Sequence, residues 1–174
     1  MTVLIIYESM YGNTESIARA IAGGFGPQAG VRLVEVSQAP VDLPDDVELV
    51  VVGAPTHGHG LSRPQSRAGA AKEKPVISAE TGVREWAAAV GISSRRPAMA
   101  TFDTRFDKPR WLTGSAAASL AKLLRRRGFA VQEPPQSFFV EHTLGPLRDG
   151  EMNRAHAWAA TLAADLRSAG KEPL

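Results

Sequence analysis

Two short segments concentrate the residue types that can hold an anion or a flat heterocycle. They are Glu8-Ser9-Met10-Tyr11-Gly12-Asn13-Thr14 and Ala54-Pro55-Thr56-His57-Gly58-His59-Gly60. Gly12 lets the backbone turn closely around a ligand, and Ser9, Asn13 and Thr14 add side-chain donors. If the first segment opens a helix, its unpaired N–H groups and the positive end of the helix dipole make an anion site. No Lys or Arg lies between Thr2 and Ile17. Neutral donors alone suit a terminal monophosphate better than a triphosphate, and the Gly-Lys-Ser/Thr of a P-loop is missing.

Other chemistries fall away on composition and spacing. The 174 residues include no cysteine, which excludes a disulfide scaffold, an iron–sulfur cluster, a thiolate zinc site and a cysteine nucleophile. His57 and His59 could share a zinc or nickel ion with Glu141 or His142, but spacing places no third ligand; lining a ligand is the better use, and no metal is expected. The run Gly24-Phe25-Gly26 follows a helix and abuts Pro27, so it is a terminator rather than a dinucleotide fingerprint. A phosphoacceptor domain would need an acid after the third strand, where Gly53-Ala54 stand. No Gly-x-Ser-x-Gly elbow supports a hydrolase. Arg95-Arg96 and Arg125-Arg126-Arg127 could meet nucleic acid, but the triple Arg sits in a last helical turn, where cations favour the dipole. No reading helix accompanies it, and no nucleic-acid partner is expected.

The elements that must position the two segments follow from hydrophobic period. Val3 to Tyr7 is a continuous apolar run, the mark of a strand buried on both faces of a parallel sheet. Helical spacing of Ile17, Ile21 and Phe25 predicts a first helix, with Asn13 or Thr14 as cap and Gly23 to Pro27 as stop. Val31 to Val36 and Glu48 to Gly53 predict two more strands joined by a Pro-rich connection. Residues 54–96 read as loop, helix, helix. Pro97 to Phe102 predicts a fourth strand, Leu120, Leu123 and Leu124 a helix starting near Thr113 or Ser115, and Phe138-Phe139-Val140 a last strand. Met152, Ala155, Ala159, Leu162, Ala163 and Leu166 give the stripe of a final helix with Asp149 as cap. Alternating strands and helices call for an α/β fold, an open parallel sheet covered on both faces. No linker or repeat divides it, so one domain spans 1–174. With strand order 2-1-3-4-5, the ligand lies between strands 1 and 3, beside the two segments above. Val3–Tyr7 meets Glu8 after five positions, too short for a leader or a membrane span; a cytoplasmic protein with no membrane partner is expected.

Ser9-Met10-Tyr11-Gly12-Asn13-Thr14 resembles the phosphate loop of the flavodoxin-like proteins, usually Ser/Thr-x-Thr-Gly-x-Thr, and Val52 to Gly60 resembles their second flavin loop. The Met-Tyr-Gly-Asn-Thr variant is similar to flavodoxin domains of diiron flavoproteins and to quinone reductases. The resemblance implies a flavodoxin-like three-layer sandwich with a five-stranded parallel sheet in order 2-1-3-4-5, and FMN as cofactor. It implies phosphate at Ser9, Met10, Tyr11, Gly12, Asn13 and Thr14, with Tyr11 contributing backbone and not hydroxyl. The ring would lie between Pro55, Thr56, His57, Gly58, His59 and Gly60 and a third loop containing Thr101, Phe102, Asp103, Thr104, Arg105 and Phe106. Phe102, Phe106, Trp111, His57 and Leu61 are its expected cover, with Asp103 and Thr104 at N3 or O2. The function implied is electron transfer between FMN and a redox partner protein. The alternatives are an FMN-dependent NAD(P)H:quinone or small-acceptor oxidoreductase, and a cofactor-free binding module on the same fold.

Charge is unevenly spread over the formal net of +2: residues 1–62 carry −5, residues 63–110 carry +5 and residues 111–174 carry +2. Arg63, Arg67, Arg105, Lys108 and Arg110 fall in or beside the expected flavin loops. Charge near the ring tunes its potential, so a less negative second potential than in an acidic flavodoxin is expected, together with an acidic redox partner.

Overall fold

The computed structural model describes residues 1–91, 96–132 and 134–169; Arg95 lies outside them. Five strands form one parallel sheet in the order β2-β1-β3-β4-β5. They are β1 (Thr2–Tyr7), β2 (Gly30–Glu35), β3 (Leu49–Pro55), β4 (Ala98–Arg105) and β5 (Gln136–Phe139). The order is the one expected from the sequence. β1 and β3 pair in register from Val3↔Leu49 to Tyr7↔Gly53, so the segments after Tyr7 and Pro55 leave the sheet side by side.

Among the described residues there are six helices, α1 (Asn13–Gly24), α2 (Pro64–Glu73), α3 (Val83–Ala89), α4 (Arg110–Thr113), α5 (Ala116–Arg126) and α6 (Glu151–Ala169), and α1, α3, α5 and α6 pack on the sheet. Alternation along each strand divides the core into two layers. Val3, Ile5 and Tyr7 pack with Ile17 and Ile21 of α1 and with Ala159 and Leu162 of α6. Leu4 and Ile6 pack with Trp86 of α3 and with Leu120 and Leu124 of α5. Leu120 and Leu124 are fully buried, and truncating either to Ala would cost about 2–5 kcal/mol. The Pro-rich link between β2 and β3 holds only a 3₁₀ turn, Val36–Gln38. Its buried Val36, Leu43 and Val47 take the place of a covering helix.

Three local expectations change. Neither Asn13 nor Thr14 caps α1: Gly12 precedes the helix at φ +98° with no side-chain cap of its own, and the Ser9 hydroxyl accepts from the N–H groups of Gly12 (3.1 Å) and Glu15 (3.4 Å). β4 runs past Phe102 to Arg105, because its polar end pairs with both neighbours, Pro55↔Thr104 on one side and Arg105↔Phe139 on the other. The expected third loop is therefore largely strand. α6 opens at Glu151 rather than behind an Asp149 cap, and Met152, placed in its apolar stripe, is 42% exposed. At the far end of the sheet, Arg96 donates to the Gly128 carbonyl and Arg127 to that of Val90. Among the described residues no helix is long and apolar enough to cross a membrane.

Candidate functional site

The carboxyl ends of β1, β3 and β4 open into one cavity of about 470 Å³, inside the range of small-molecule sites. Ser9, Met10, Tyr11, Asn13, Thr14, Pro55, Thr56, His57, Gly58, His59, Thr104 and Arg105 all line it. Gly12, Gly60, Phe102 and Asp103 do not.

The first segment is held from behind. Ser9 N–H donates to the Ser78 hydroxyl (3.0 Å), and the N–H groups of Ile77 and Ser78 donate to the carbonyls of Met10 (3.0 Å) and Ser9 (2.9 Å). The N–H groups of Met10, Tyr11, Asn13 and Thr14 have no acceptor among the described residues. Two such amides in the loop and two at the helix start, with no cation among the residues between Thr2 and Ile17, form the donor set an anion needs. The Thr14 hydroxyl is 2.8 Å from that of Thr104 and buried with it, tying α1 to the end of β4. The Tyr11 hydroxyl donates to the Ala70 carbonyl of α2 (2.9 Å).

The second segment is a two-residue hairpin closed by His57 N–H to Gly60 O (2.8 Å) and Gly60 N–H to His57 O (3.0 Å). Both central residues are left-handed, Gly58 at φ +50° and His59 at φ +75°, as a type I′ turn requires. Gly114 backs it so closely that a Cβ there would lie 1.9 Å from the His59 carbonyl oxygen. His57 Nδ1 is 3.3 Å from the Ser66 hydroxyl. Burial, reinforced by Arg67, holds its imidazole below the usual value, so it is neutral at pH 7. The Thr56 hydroxyl accepts from Ala116 N–H at the start of α5 (3.0 Å). No group of three His, Cys, Asp or Glu able to hold a metal occurs among the described residues.

The third side departs most from expectation. Phe102 is fully buried, its ring over Gly53 and edge-on to Phe138 and Trp158 at centroid distances of 6.1 and 6.3 Å. It is core, because its place in β4 points it into the α1/α6 layer. Asp103 is buried too, and its Oδ2 accepts from the Ser115 hydroxyl (2.6 Å) and Ala117 N–H (2.9 Å), capping α5. Leu61 is buried in the other layer. Phe106 does line the cavity, whereas Trp111 stands beside it 82% exposed. Of the five cations expected near the ring, Arg105 alone lines the cavity. Its guanidinium is committed to the Ser137 hydroxyl (3.0 Å), the carbonyls of Phe106 (3.2 Å) and Lys108 (2.7 Å), and the Thr113 hydroxyl (3.1 Å).

The sequence reading missed the remaining walls: Ser66, Gly69, Ala70 and Glu73 of α2, Leu112 and Thr113 of α4, and Val140 and Thr143 after β5. α2 has no apolar period to read, for its one buried residue is Arg67. Pro64 at the first helical position was the available signal. Arg67 is 1% exposed. It bonds the Ser62 hydroxyl (2.9 Å), the Glu80 carbonyl (3.1 Å) and Glu85 Oε1 (2.9 Å). Behind it the fully buried Glu8 accepts from Ser62 and from Val83 N–H (2.8 Å). Burial pushes the Glu8 carboxyl above the usual carboxylate range, against the pull of Ser62, Val83 and Arg67.

Solved structures share this architecture. An archaeal flavodoxin superposes with a TM-score of 0.66 at 18% identity, covering 96% of this chain and 99% of its own. Two-electron reduced Megasphaera elsdenii flavodoxin gives 0.58 at 18% identity, covering 91% and 98%. A flavodiiron core from Synechocystis gives 0.60 at 18% identity, covering 97% of this chain and 36% of its own. No curated protein matches the chain in sequence. The family model for flavodoxin matches residues 5–104, from the first strand through the phosphate loop and hairpin to Thr104. FMN fits the donors present: four unpaired amides can take its phosphate, and the cavity beyond them is flanked by the hairpin and Phe106. The match runs through the strand ends that build the cavity, and the chain belongs to the flavodoxin family of FMN-binding electron-transfer proteins.

Proposed function

We propose that this protein is an electron carrier in which FMN stays bound while a separate redox protein docks at the open side of the cavity. The observation that carries this reading is that Met10, Tyr11, Asn13 and Thr14, whose amides have no acceptor among the described residues, all line one cavity. They would hold the phosphate, with the Ser9 hydroxyl already oriented against Gly12 and Glu15. His57, Gly58 and His59 would flank the ring on one side, and Thr104, Phe106 and Leu112 on the other. Bound FMN supplies the one- and two-electron chemistry, so no side chain need act as acid or base. The protein's part is to bind, orient and limit water. Phe106 and Leu112 remove water from one side, and neutral His57 adds no charge on the other.

Arg105 brings a fixed positive charge to the cavity and Glu73 a negative one. The guanidinium, braced at four atoms, favours extra electron density on the cofactor. A second potential less negative than in an acid-lined flavodoxin is expected, and a spectroelectrochemical titration giving an equally low value contradicts it.

Steady-state assay of the FMN-loaded protein with NADH or NADPH and a benzoquinone tests the carrier reading. A carrier turns over negligibly with either nicotinamide, yet passes electrons rapidly once photoreduced. Sustained nicotinamide-dependent quinone reduction would assign the protein to the oxidoreductase alternative.

A further inference from the structure

Seven large apolar side chains are exposed among the described residues. Four of them, Phe106, Trp111, Leu112 and Leu144, fall on the two segments that close the ring side of the cavity. Phe106, Leu112 and Thr143 line the cavity itself, and the exposed Trp111 and Leu144 are the chain neighbours of two of them. Trp111 is the most exposed, at 82%. Its exposure is not that of a loose end. The single turn of α4 is closed by Thr113 N–H to Pro109 O (3.2 Å) and Gly114 N–H to Arg110 O (2.7 Å). Arg105, whose guanidinium lies 5.2 Å from the centre of the Phe139 ring, grips the Phe106 and Lys108 carbonyls and the Thr113 hydroxyl from beneath. An aromatic side chain held out by such a brace loses little freedom on meeting a partner.

Two of the cations around it stand without a carboxylate partner among the described residues. Asp107 is taken by Arg148 (2.5 Å), and Arg148 also reaches Glu141 (3.4 Å). Lys108 and Arg110, on either side of Pro109, have no carboxylate within ion-pair distance among the described residues; Arg110 donates only to the Pro135 carbonyl (3.3 Å). The exposed apolar side chains, Trp111 foremost, thus share their segments with two cations that have no carboxylate partner among the described residues. That is the composition of a protein–protein contact, with a field that attracts acidic surfaces.

We propose that Phe106, Trp111, Leu112 and Leu144, rimmed by Lys108 and Arg110, form the docking face for an electron-transfer protein whose redox edge is apolar and ringed by Asp and Glu. The proposal rests on the carrier reading and names the partner's chemistry for it. Flush contact at this mouth would bring the partner's redox group against the cavity with the least intervening protein.

Isotope-labelled full-length protein, with and without added FMN, would be titrated with two probes and followed by amide chemical shifts. The probes are the acidic soluble haem domain of cytochrome b5 and the basic cytochrome c. The expected result is perturbation at 106–113 and 140–144 with the acidic probe and little with the basic one, abolished at high salt. Lys108→Glu with Arg110→Glu, and separately Trp111→Ala, should each weaken the acidic probe at least about tenfold. Equal shifts with both probes, shifts centred elsewhere, none with the acidic probe, or variants that bind as the wild type would overturn the proposal. So would concentration-dependent shifts at this face without a probe, which would assign it to a second copy of the chain. The shifts are read in both flavin states, so a lack of FMN uptake would count against the carrier reading and leave this outcome separately readable.

Discussion

At one end of the cavity Ser9 to Thr14 offer backbone N–H groups on a neutral loop; at the other, Phe106 to Thr113 offer side chains on a cationic one. The first end is set into the core: Ser9, Met10 and Thr14 are buried, and Ser78, Ile77 and Tyr11 tie the loop to its neighbours. The second stands out from the core on one helical turn, with Arg105 as its prop. The difference separates two tasks. Backbone donors fixed by the fold can hold a cofactor permanently, since no rotamer freedom is lost on binding. Exposed Trp and unpaired cations suit a contact that forms and dissolves.

Removing the brace behind the phosphate end should have the largest effect. Arg67→Met leaves Glu85 without its cation and buried Glu8 without the neighbouring positive charge; removing one partner of a buried pair costs about 3–5 kcal/mol, and with Glu85 38% exposed the loss sits toward the lower end of that range. In a chain of this size that is a fall in Tm of roughly 6–20 °C, read by calorimetry, with α2 losing amide-exchange protection. Gly12→Val forces a β-branched residue to φ +98°, a strain of about 1–3 kcal/mol. FMN affinity, measured by quenching of flavin fluorescence, should drop roughly 5- to 150-fold. Tyr11→Phe removes one hydrogen bond from loop to α2, worth about 0.5–1.5 kcal/mol, and should speed FMN release roughly 2- to 12-fold in stopped flow with little change in fold stability.

The raised pKa of Glu8 gives a pH signature to the same end. A carboxyl raised in the folded state stabilises it fully below the usual carboxylate value, and that contribution is lost as pH rises through the raised one. The stability of the wild type relative to Glu8→Gln, from urea unfolding, should therefore decline from about pH 4 upward and level off once Glu8 is ionised. A difference that grows with pH would place the carboxyl outside the network. The smallest effect belongs to the other end. Trp111→Ala should leave stability within about 0.5 kcal/mol and FMN affinity within about twofold, because the side chain is 82% exposed and does not line the cavity. A larger loss of FMN would merge the two tasks.

The same contrast explains what the sequence revealed. Val3 to Tyr7 and Leu49 to Val52 are legible as buried parallel strands because both faces must be apolar, and Gly12-Asn13-Thr14 is legible because an anion site at a helix start needs those residue types. The ring end has no such grammar. Phe102 reads as ring cover in a list of residues, but Gly53 on the neighbouring strand leaves room for its ring within the core. Asp103 reads as a ligand contact, and the sequence does not show that its Oδ2 is taken by the start of α5. α2 hides because Arg67 does the work that a hydrophobic stripe does elsewhere, and Trp111 and Leu112 carry no period in a single turn.

The central claim is that the four unpaired amides and the cavity beyond them hold FMN, and stoichiometric titration tests it directly. Flavin fluorescence followed as purified, flavin-free protein is added to FMN should be quenched to an endpoint at one FMN per chain, with the Gly12→Val variant displaced to weaker binding. An unquenched signal at micromolar protein, or quenching that Gly12→Val does not alter, would contradict the account.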